Sequence, residues 1–451
     1  MNTKYNELRE KYPEFIYEKY EIEKNEEKYV ITYFFQITNL VTFTPKLEIS
    51  KKCIHKLDEI SKYIIFNIGL IELISYWKST CSKNVIIKAG YINQEQIEWF
   101  KKLYYYGLGE LFYKNNIKTS IEDFMNISCM REQENIKEID YEGIGNLIPI
   151  GGGKDSCVTL ELLKEEKEHN SCFMINPKIP MIECATIAGY NEILSVNRIL
   201  DRKIIELNEK GFINGHTPFS SLVAFISYLL AYENNKKNII LSNESSANEE
   251  TIIGTKINHQ YSKTYEFEND FNNYITKYFK INIKYFSLLR PLKEIQIANL
   301  FSHYEKYHKI FRSCNLGSKS KEWNWCCNCP KCLFIFIILS PFLYKEKLIS
   351  IFKEDLFEKK ELFEDFKSLI GENESKPFEC VGSIEEVKYA LNEIIGKLTE
   401  QQEKLPFLLE YYKKYYTKNN NFDILIEIDS THNLDNKYLS LLIDEVNKNV
   451  Q

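Results

Sequence analysis

Apolar and polar positions alternate along the chain in two spacings. Residues 28–37 and 40–49 are dense in β-branched and aromatic side chains and predict strands. Residues 53–78 place apolar side chains three and four apart, the spacing that gives a helix one buried face. Residues 85–88 predict another strand and 93–113 another helix, before a polar stretch at 132–142 marks a boundary. Beyond it, short apolar strands and helical stretches take turns. Leu147-Ile148-Pro149-Ile150 predicts a strand, followed by three glycines and a helix over about 155–167. Cys172-Phe173-Met174-Ile175 predicts the next strand, and 187–200 and 219–232 have helical spacing. Asn238-Ile239-Ile240-Leu241 and residues 283–289 predict two more strands, the first ending in Ser242-Asn243-Glu244 and the second in Arg290-Pro291-Leu292. Strands alternating with helices favour an α/β fold with a parallel sheet covered on both faces, where a ligand sits beyond the carboxyl ends of the strands. Residues 346–451 are charged and helical in pattern. Three segments are expected: an N-terminal α/β domain over 1–140, a parallel-sheet core over 141–345 and a C-terminal helical region over 346–451.

Composition narrows the class. Of 451 residues, 44% are apolar and 27% charged, ordinary for a soluble globular protein able to bury a sizeable core. The net charge of −6 supplies no global basic field, so no nucleic-acid partner is expected. The first residues, Met1-Asn2-Thr3-Lys4-Tyr5-Asn6-Glu7, lack the apolar stretch of a signal peptide. The longest apolar runs, 63–77 and 332–344, are too short or too broken to span a bilayer. A cytoplasmic location without a membrane partner is expected, so the 12 cysteines read as thiols or metal ligands rather than disulfides.

The strongest chemical signal is Gly151-Gly152-Gly153-Lys154-Asp155-Ser156 between a strand and a helix. Three glycines let backbone approach a ligand with no Cβ in the way, and the following helix aims free amides at the loop. That is an anion site suited to phosphate. Ser156 can donate a hydroxyl hydrogen bond, Lys154 can offset phosphate charge, and Asp155 can hold Mg²⁺ or cap the helix. The loop is not a Walker A motif. It resembles the Ser-Gly-Gly-x-Asp-Ser loop of enzymes that cleave ATP between the α and β phosphates, with Gly151 in place of the first serine. The resemblance implies an ATP-pyrophosphatase-like core of the adenine nucleotide alpha hydrolase kind, binding ATP on 151–156. Leu289-Arg290-Pro291-Leu292-Lys293-Glu294-Ile295 resembles a late element of several members of that superfamily.

Cys314, Cys326, Cys329 and Cys332 have the close Cys-x-x-Cys steps that bring thiolates around one tetrahedral ion. A structural Zn²⁺ is expected, with Cys327 as a possible replacement for Cys326. The spacing is similar to the zinc site of 7-cyano-7-deazaguanine synthase. An Fe–S cluster, a redox role or a buried cysteine-rich turn are the alternatives.

A more specific resemblance is carried by several stretches in order: 147–156; Asn208-Glu209-Lys210-Gly211-Phe212-Ile213-Asn214-Gly215-His216-Thr217-Pro218-Phe219-Ser220; Ser242-Asn243-Glu244-Ser245-Ser246-Ala247-Asn248; Asn258-His259-Gln260-Tyr261-Ser262-Lys263; Phe311-Arg312-Ser313-Cys314-Asn315; Cys329-Pro330-Lys331-Cys332; and Phe378-Glu379-Cys380-Val381-Gly382. Together they resemble the UDP-N-acetylmuramoyl-L-alanyl-L-glutamate epimerase family of peptidoglycan synthesis, over about residues 30–415. The resemblance implies inversion of the terminal L-Glu of a UDP-muramoyl dipeptide to D-Glu, with ATP and Mg²⁺ and no pyridoxal cofactor. ATP has a physical use there. Removing a proton beside a carboxylate piles a second negative charge on one group, and an acyl-adenylate removes the first. Each pKa unit gained at that carbon is worth about 1.4 kcal/mol.

Among the ionisable members of these motifs, His216, Glu244 and His259 are candidate bases, with Asp155 beside the phosphates. Each has a plainer role open to it: His216 as a loop brace, Glu244 as a Mg²⁺ ligand or helix cap, His259 with Gln260 as a contact to sugar or uridine. Asn214, Asn243, Asn248 and Gln260 are candidate substrate contacts. Arg290, Lys293 and Arg312 can hold the substrate's second carboxylate or its diphosphate, or be surface charges. Cys157 lies near the loop and is expected to pack, with a place in a racemase-like thiol pair as the alternative. The rival functions are another adenylating synthase or amidating ligase on the same scaffold, and a binding module without turnover.

Overall fold

The computed structural model describes residues 3–131, 139–249, 258, 261–319, 323–373, 375–417 and 422–449. Its centre is one mixed, mostly parallel sheet of eleven strands. The strands are β1 (Glu14–Lys24), β2 (Lys28–Ile37), β3 (Val41–Phe43), β4 (Lys46–Ser50), β5 (Asn84–Ile87), β6 (Asn126–Cys129), β7 (Asn146–Pro149), β8 (Ser171–Ile175), β9 (Ile193–Ile199), β10 (Asn238–Leu241) and β11 (Lys284–Ser287). Their order is β11-β10-β7-β8-β9-β4-β2-β1-β5-β6, with β3 paired to β2. From β11 to β9 every pair is parallel. The β9–β4, β4–β2 and β2–β1 pairs are antiparallel, and β1, β5 and β6 are parallel again. Leu47 faces Arg198 and Ile49 faces Val196, so the sheet runs unbroken past residue 140.

The parallel half is buried on both faces, as its strand composition requires. Successive residues point opposite ways in a strand. Leu147, Phe173, Ile239 and Tyr285 therefore enter one core, under the helices Glu59–Trp77 and Phe219–Glu233. Ile148, Met174, Ile240 and Phe286 enter the other. That second core is closed by the helices Lys154–Leu162, Glu294–Ser302 and Pro330–Leu339 and by the C-terminal helices, whose Val387, Leu391, Tyr438 and Leu442 it buries. Among the described residues no helix is long and apolar enough to cross a membrane.

Two segments differ from the pattern-based expectation. Residues 40–49 predict one strand, but Pro45, which has no N–H for a ladder, separates β3 from β4. Residues 187–200 predict a helix. The helix instead spans Ile179–Ile187, starts with Pro180 in its first turn, and is closed by Gly189 at φ +84°. The rest becomes β9, in which Leu194 and Val196 are buried while Asn197 is exposed.

The order β9-β8-β7-β10-β11 has a consequence for ligands. The chain moves from β7 outward through β8 and β9, then returns to the other side of β7 to build β10 and β11. The crevice at the carboxyl ends of β7 and β10 is thus a topological switch point, the place where open α/β sheets bind ligands.

Candidate active site

β7 ends at Pro149, and the glycine loop follows. Gly152 has φ +77°, a conformation that costs a residue with a Cβ. A Cβ on Gly153 would lie 2.6 Å from Ser313 Oγ, so this position is packed against the segment that leads to the cysteines. Gly153 caps the helix Lys154–Leu162 without a side-chain hydrogen bond, which leaves the first-turn amides to other partners. Gly151 N–H donates to Ser156 Oγ at 3.0 Å, holding the loop's two ends together.

A cleft of about 420 Å³ opens over this loop at the switch point. Gly151, Gly153, Asp155 and Ser156 form one wall, and Ile150, Phe173, Leu241 and Tyr285 contribute apolar floor. Lys263, Lys331 and Cys380 line the cleft as well. Behind the loop, Lys154 is fully buried and its ammonium meets the Asp155 and Glu294 carboxylates. Burial works against that charge, but the two carboxylates outweigh it and hold the Lys154 pKa above its ordinary value. Glu294 opens the helix Glu294–Ser302, and its other oxygen is 3.9 Å from Lys331 Nζ. Burial, reinforced by the charges of Asp155 and Glu244 and opposed by Lys154, pushes the Glu294 carboxyl up to about 7. Glu244, buried just beyond β10, is raised by burial and by Asp155. Three lysines and three carboxylates thus crowd one side of the cleft.

The other candidates are distributed unevenly. Asn243 lines the cleft, and its carbonyl accepts from Ser287 Oγ at 2.6 Å. Arg312 lines it too. Its backbone N–H donates to Gly152 O at 2.8 Å and its Nε to Trp323 O at 3.0 Å. Asn248 Oδ1 accepts from the Tyr265 N–H at 2.8 Å. Asn214 is exposed and its Oδ1 accepts from Gly215 N–H. His216 is half-buried, three residues before Phe219, which with Ser220 lines the cleft. Lys293 pairs with Glu427 at 2.8 Å. Arg290 is 1% exposed and braces the site from behind: Nη1 donates to Glu244 O at 2.9 Å, and Nη2 to Lys263 O at 2.6 Å and to Glu268 Oε2 at 3.2 Å. His259 and Gln260 lie outside the described residues. Cys157 is buried, its sulfur 3.5 Å from that of Cys184. Lys263, Glu294, Lys331 and Cys380 were not among the sequence-derived candidates. All four lie in motifs quoted above, but nothing in the spacing of those motifs brings them together.

The sulfurs of Cys314, Cys326, Cys329 and Cys332 all lie within 4.8 Å of one another. Ligands at about 2.3 Å around a tetrahedral zinc would be about 3.8 Å apart, and Cys326 Sγ is 3.7 Å from Cys332 Sγ. Gly317 N–H points at Cys314 Sγ at 3.1 Å and Asn328 N–H at Cys326 Sγ at 3.4 Å, donors suited to thiolate charge. The four can hold a structural metal ion, and the donor set is compatible with zinc. Cys327 does not replace Cys326. Its φ of +51° turns the side chain away, and its sulfur meets Phe352 O at 3.0 Å. The cluster shapes the cleft, because Cys314 follows Ser313, and Cys329 caps the helix Pro330–Leu339 that carries Lys331.

Residues 6–288 match the family model described as the MurL N-terminal domain, and residues 310–420 match the MurL C-terminal domain. The chain is 32% identical over 329 residues to a Xanthomonas oryzae pv. oryzae protein named UDP-N-acetyl-alpha-D-muramoyl-L-alanyl-L-glutamate epimerase, covering 71% of this chain and 72% of that one. Proteins of the same name from a Micromonospora species and from Salinispora tropica are each 31% identical, over 323 and 333 residues. Those alignments cover 71% and 72% of this chain, and 72% and 71% of the two relatives.

Proposed function

The chain belongs to the MurL family, and from that premise we propose that it inverts the terminal L-Glu of UDP-MurNAc-L-Ala-L-Glu to D-Glu for peptidoglycan synthesis, using ATP and Mg²⁺ to activate the carboxylate. The observation that carries this reading is the cleft at the β7/β10 switch point, with an uncapped helix start and a glycine loop on one side and buried lysines beside it. We read the β9-β8-β7-β10-β11 half as ATP-pyrophosphatase-like. Its loop amides and Ser156 would hold the phosphates beside Gly151, where a Cβ would meet nothing nearer than Ser156 Oγ at 3.9 Å. Asp155 and Glu244 are close enough for one charge to raise the other's pKa. Such a pair is suited to a hard divalent cation, and these are the residues that would hold Mg²⁺.

Activation joins a carboxylate oxygen of the terminal glutamyl residue to the α-phosphorus of ATP, and pyrophosphate leaves. The group's negative charge is gone, and the neighbouring Cα–H becomes acidic enough for a protein base. Lys331 takes up charge that develops at the carbonyl oxygen or the leaving phosphate. We assign Asn243 and Arg312, which line the cleft, to the substrate. Arg290 shapes the site from within the core, without reaching the substrate. Water then attacks the inverted acyl group and releases AMP.

The test is incubation with ATP, Mg²⁺ and the UDP-muramoyl dipeptide in heavy water, without ammonia, followed by acid hydrolysis and chiral analysis of glutamate. D-Glu carrying deuterium at Cα is expected. Glutamate that stays L, with a product formed only when ammonia is supplied, would instead identify an amidating ligase.

A further inference from the structure

The segment Phe378-Glu379-Cys380-Val381-Gly382 precedes the helix Ile384–Glu400, and the phosphate side of the cleft makes no use of it. It is firmly seated. Val381 is 3% exposed, and a Cβ on Gly382 would lie 2.8 Å from Glu386 Oε2 and 3.0 Å from the Phe334 ring. Lys331 Nζ donates to the Cys380 carbonyl, and Asn315 Nδ2 donates to the Glu379 carboxylate. Cys380 is half-buried and, among the described residues, is the one cysteine that lines the cleft. Its sulfur is 3.0 Å from Lys263 Nζ. Burial disfavours the Lys263 ammonium, but the charges of Cys380, Glu244 and Asp155 overcome this and hold its pKa above the ordinary value. Arg290 fixes the Lys263 backbone from behind through its carbonyl. A thiol beside an ammonium ionises more readily than a free one, and a cysteine in hydrogen-bond reach of substrate is a competent general base.

We propose that Cys380 is a catalytic residue whose thiolate, paired with the Lys263 ammonium, takes the Cα proton of the activated glutamyl residue from one face. This rests on the epimerase reading above. The sulfur lone pair forms the S–H bond, and the Cα–H electron pair moves into the activated carbonyl as an enolate. An acid on the opposite face supplies a proton to Cα and is reprotonated by water, while Cys380 returns its own proton to water, so atoms and charge balance over one inversion. Lys263 is a positioning residue that holds the sulfur charged.

Three measurements on the full chain test this. The first compares solvent-deuterium exchange at Cα with substrate-dependent pyrophosphate release in wild type and in Cys380→Ser and Cys380→Ala. Exchange should fall at least about 100-fold relative to pyrophosphate release, the low end for loss of a general base. The second is the pH profile of iodoacetamide labelling at Cys380, read by peptide mass with no ligand present. Half-maximal reactivity should lie below the free-thiol pKa of about 8.5. In the third, Lys263→Met should raise that midpoint by at least about one pH unit and Lys263→Arg should restore it, a shift that loss of packing alone would not give. Exchange within about threefold of wild type in Cys380→Ser, or a labelling midpoint near 8.5 that Lys263→Met leaves in place, overturns the proposal. A wild type that neither releases pyrophosphate nor exchanges removes the epimerase reading, and this proposal with it.

Discussion

Replacing Arg290 with methionine separates a brace from a substrate contact. The guanidinium is 1% exposed and joins three elements through Glu244 O, Lys263 O and Glu268 Oε2. Removing one partner of a buried ion pair costs about 3–5 kcal/mol. The two abandoned carbonyls add to that. Asn433 Nδ2 stays at 2.9 Å from Glu268, and burial already raises the Glu268 pKa, so the orphaned carboxyl can take up a proton and soften the loss. A net cost of about 4 kcal/mol follows. At about 2.1 cal/mol/K per residue, the 451 residues lose about 1 kcal/mol of stability per degree near the midpoint. Arg290→Met should therefore lower the Tm by about 4 °C. The loss should also deepen as pH rises from about 5 to 8. A carboxyl whose folded pKa is raised stabilises below its unfolded pKa and loses that contribution as pH climbs through the folded one. Differential scanning calorimetry across that range, with KM measured well below the transition, is the assay. A Tm within about 1 °C of wild type together with a KM raised tenfold or more would refute the brace and return Arg290 to the substrate.

Cys326→Ser should lower the bound metal per chain, whereas Cys327→Ser should leave it unchanged; elemental analysis showing equal loss in both would contradict the inward turn of Cys326. Gly153→Ala should weaken ATP binding at least about tenfold, about 1.4 kcal/mol, because its Cβ would lie 2.6 Å from Ser313 Oγ. Adding Ser313→Gly should recover part of that, and calorimetric titration with MgATP decides it. His308 is fully buried, and burial holds its pKa below the ordinary value. A depressed histidine contributes stability above its unfolded pKa of about 6.5 and loses it as pH falls through the folded one. His308→Phe should then flatten the decline of the urea midpoint from pH 7 to 5, and an unchanged slope would exclude this role.

The glycine loop and the cysteine quartet are legible in the chain because each is local. Strand, turn and helix follow one another within 146–162, and three of the four sulfurs come from seven residues. The choice between Cys326 and Cys327 is not local, since it turns on a positive φ at Cys327 that no neighbouring residue announces. Arg290 reads as a cation available to substrate because charge alone does not say whether a side chain points in or out; only the burial of Glu268 reveals its direction. Residues 187–200 have apolar positions that suit either period, and the helix stop at Gly189 decides between them. β1 escapes the pattern because its second half alternates toward charge at an open face of the sheet. Glu294 meets Lys154 and Cys380 meets Lys263 only through folding, from positions 140 and 117 residues apart, and Lys331 comes beside Glu294 in the same way.

Above all, we propose that ATP neutralises the terminal carboxylate in the β7/β10 cleft so that the adjacent carbon can release its proton. The most direct measurement uses a UDP-muramoyl dipeptide labelled with ¹⁸O in the glutamyl α-carboxylate, and follows the label by mass spectrometry of the nucleotide products as D-Glu forms. AMP carrying one ¹⁸O and unlabelled pyrophosphate are expected. D-Glu formed without nucleotide turnover, or ADP with ¹⁸O in orthophosphate, would contradict it.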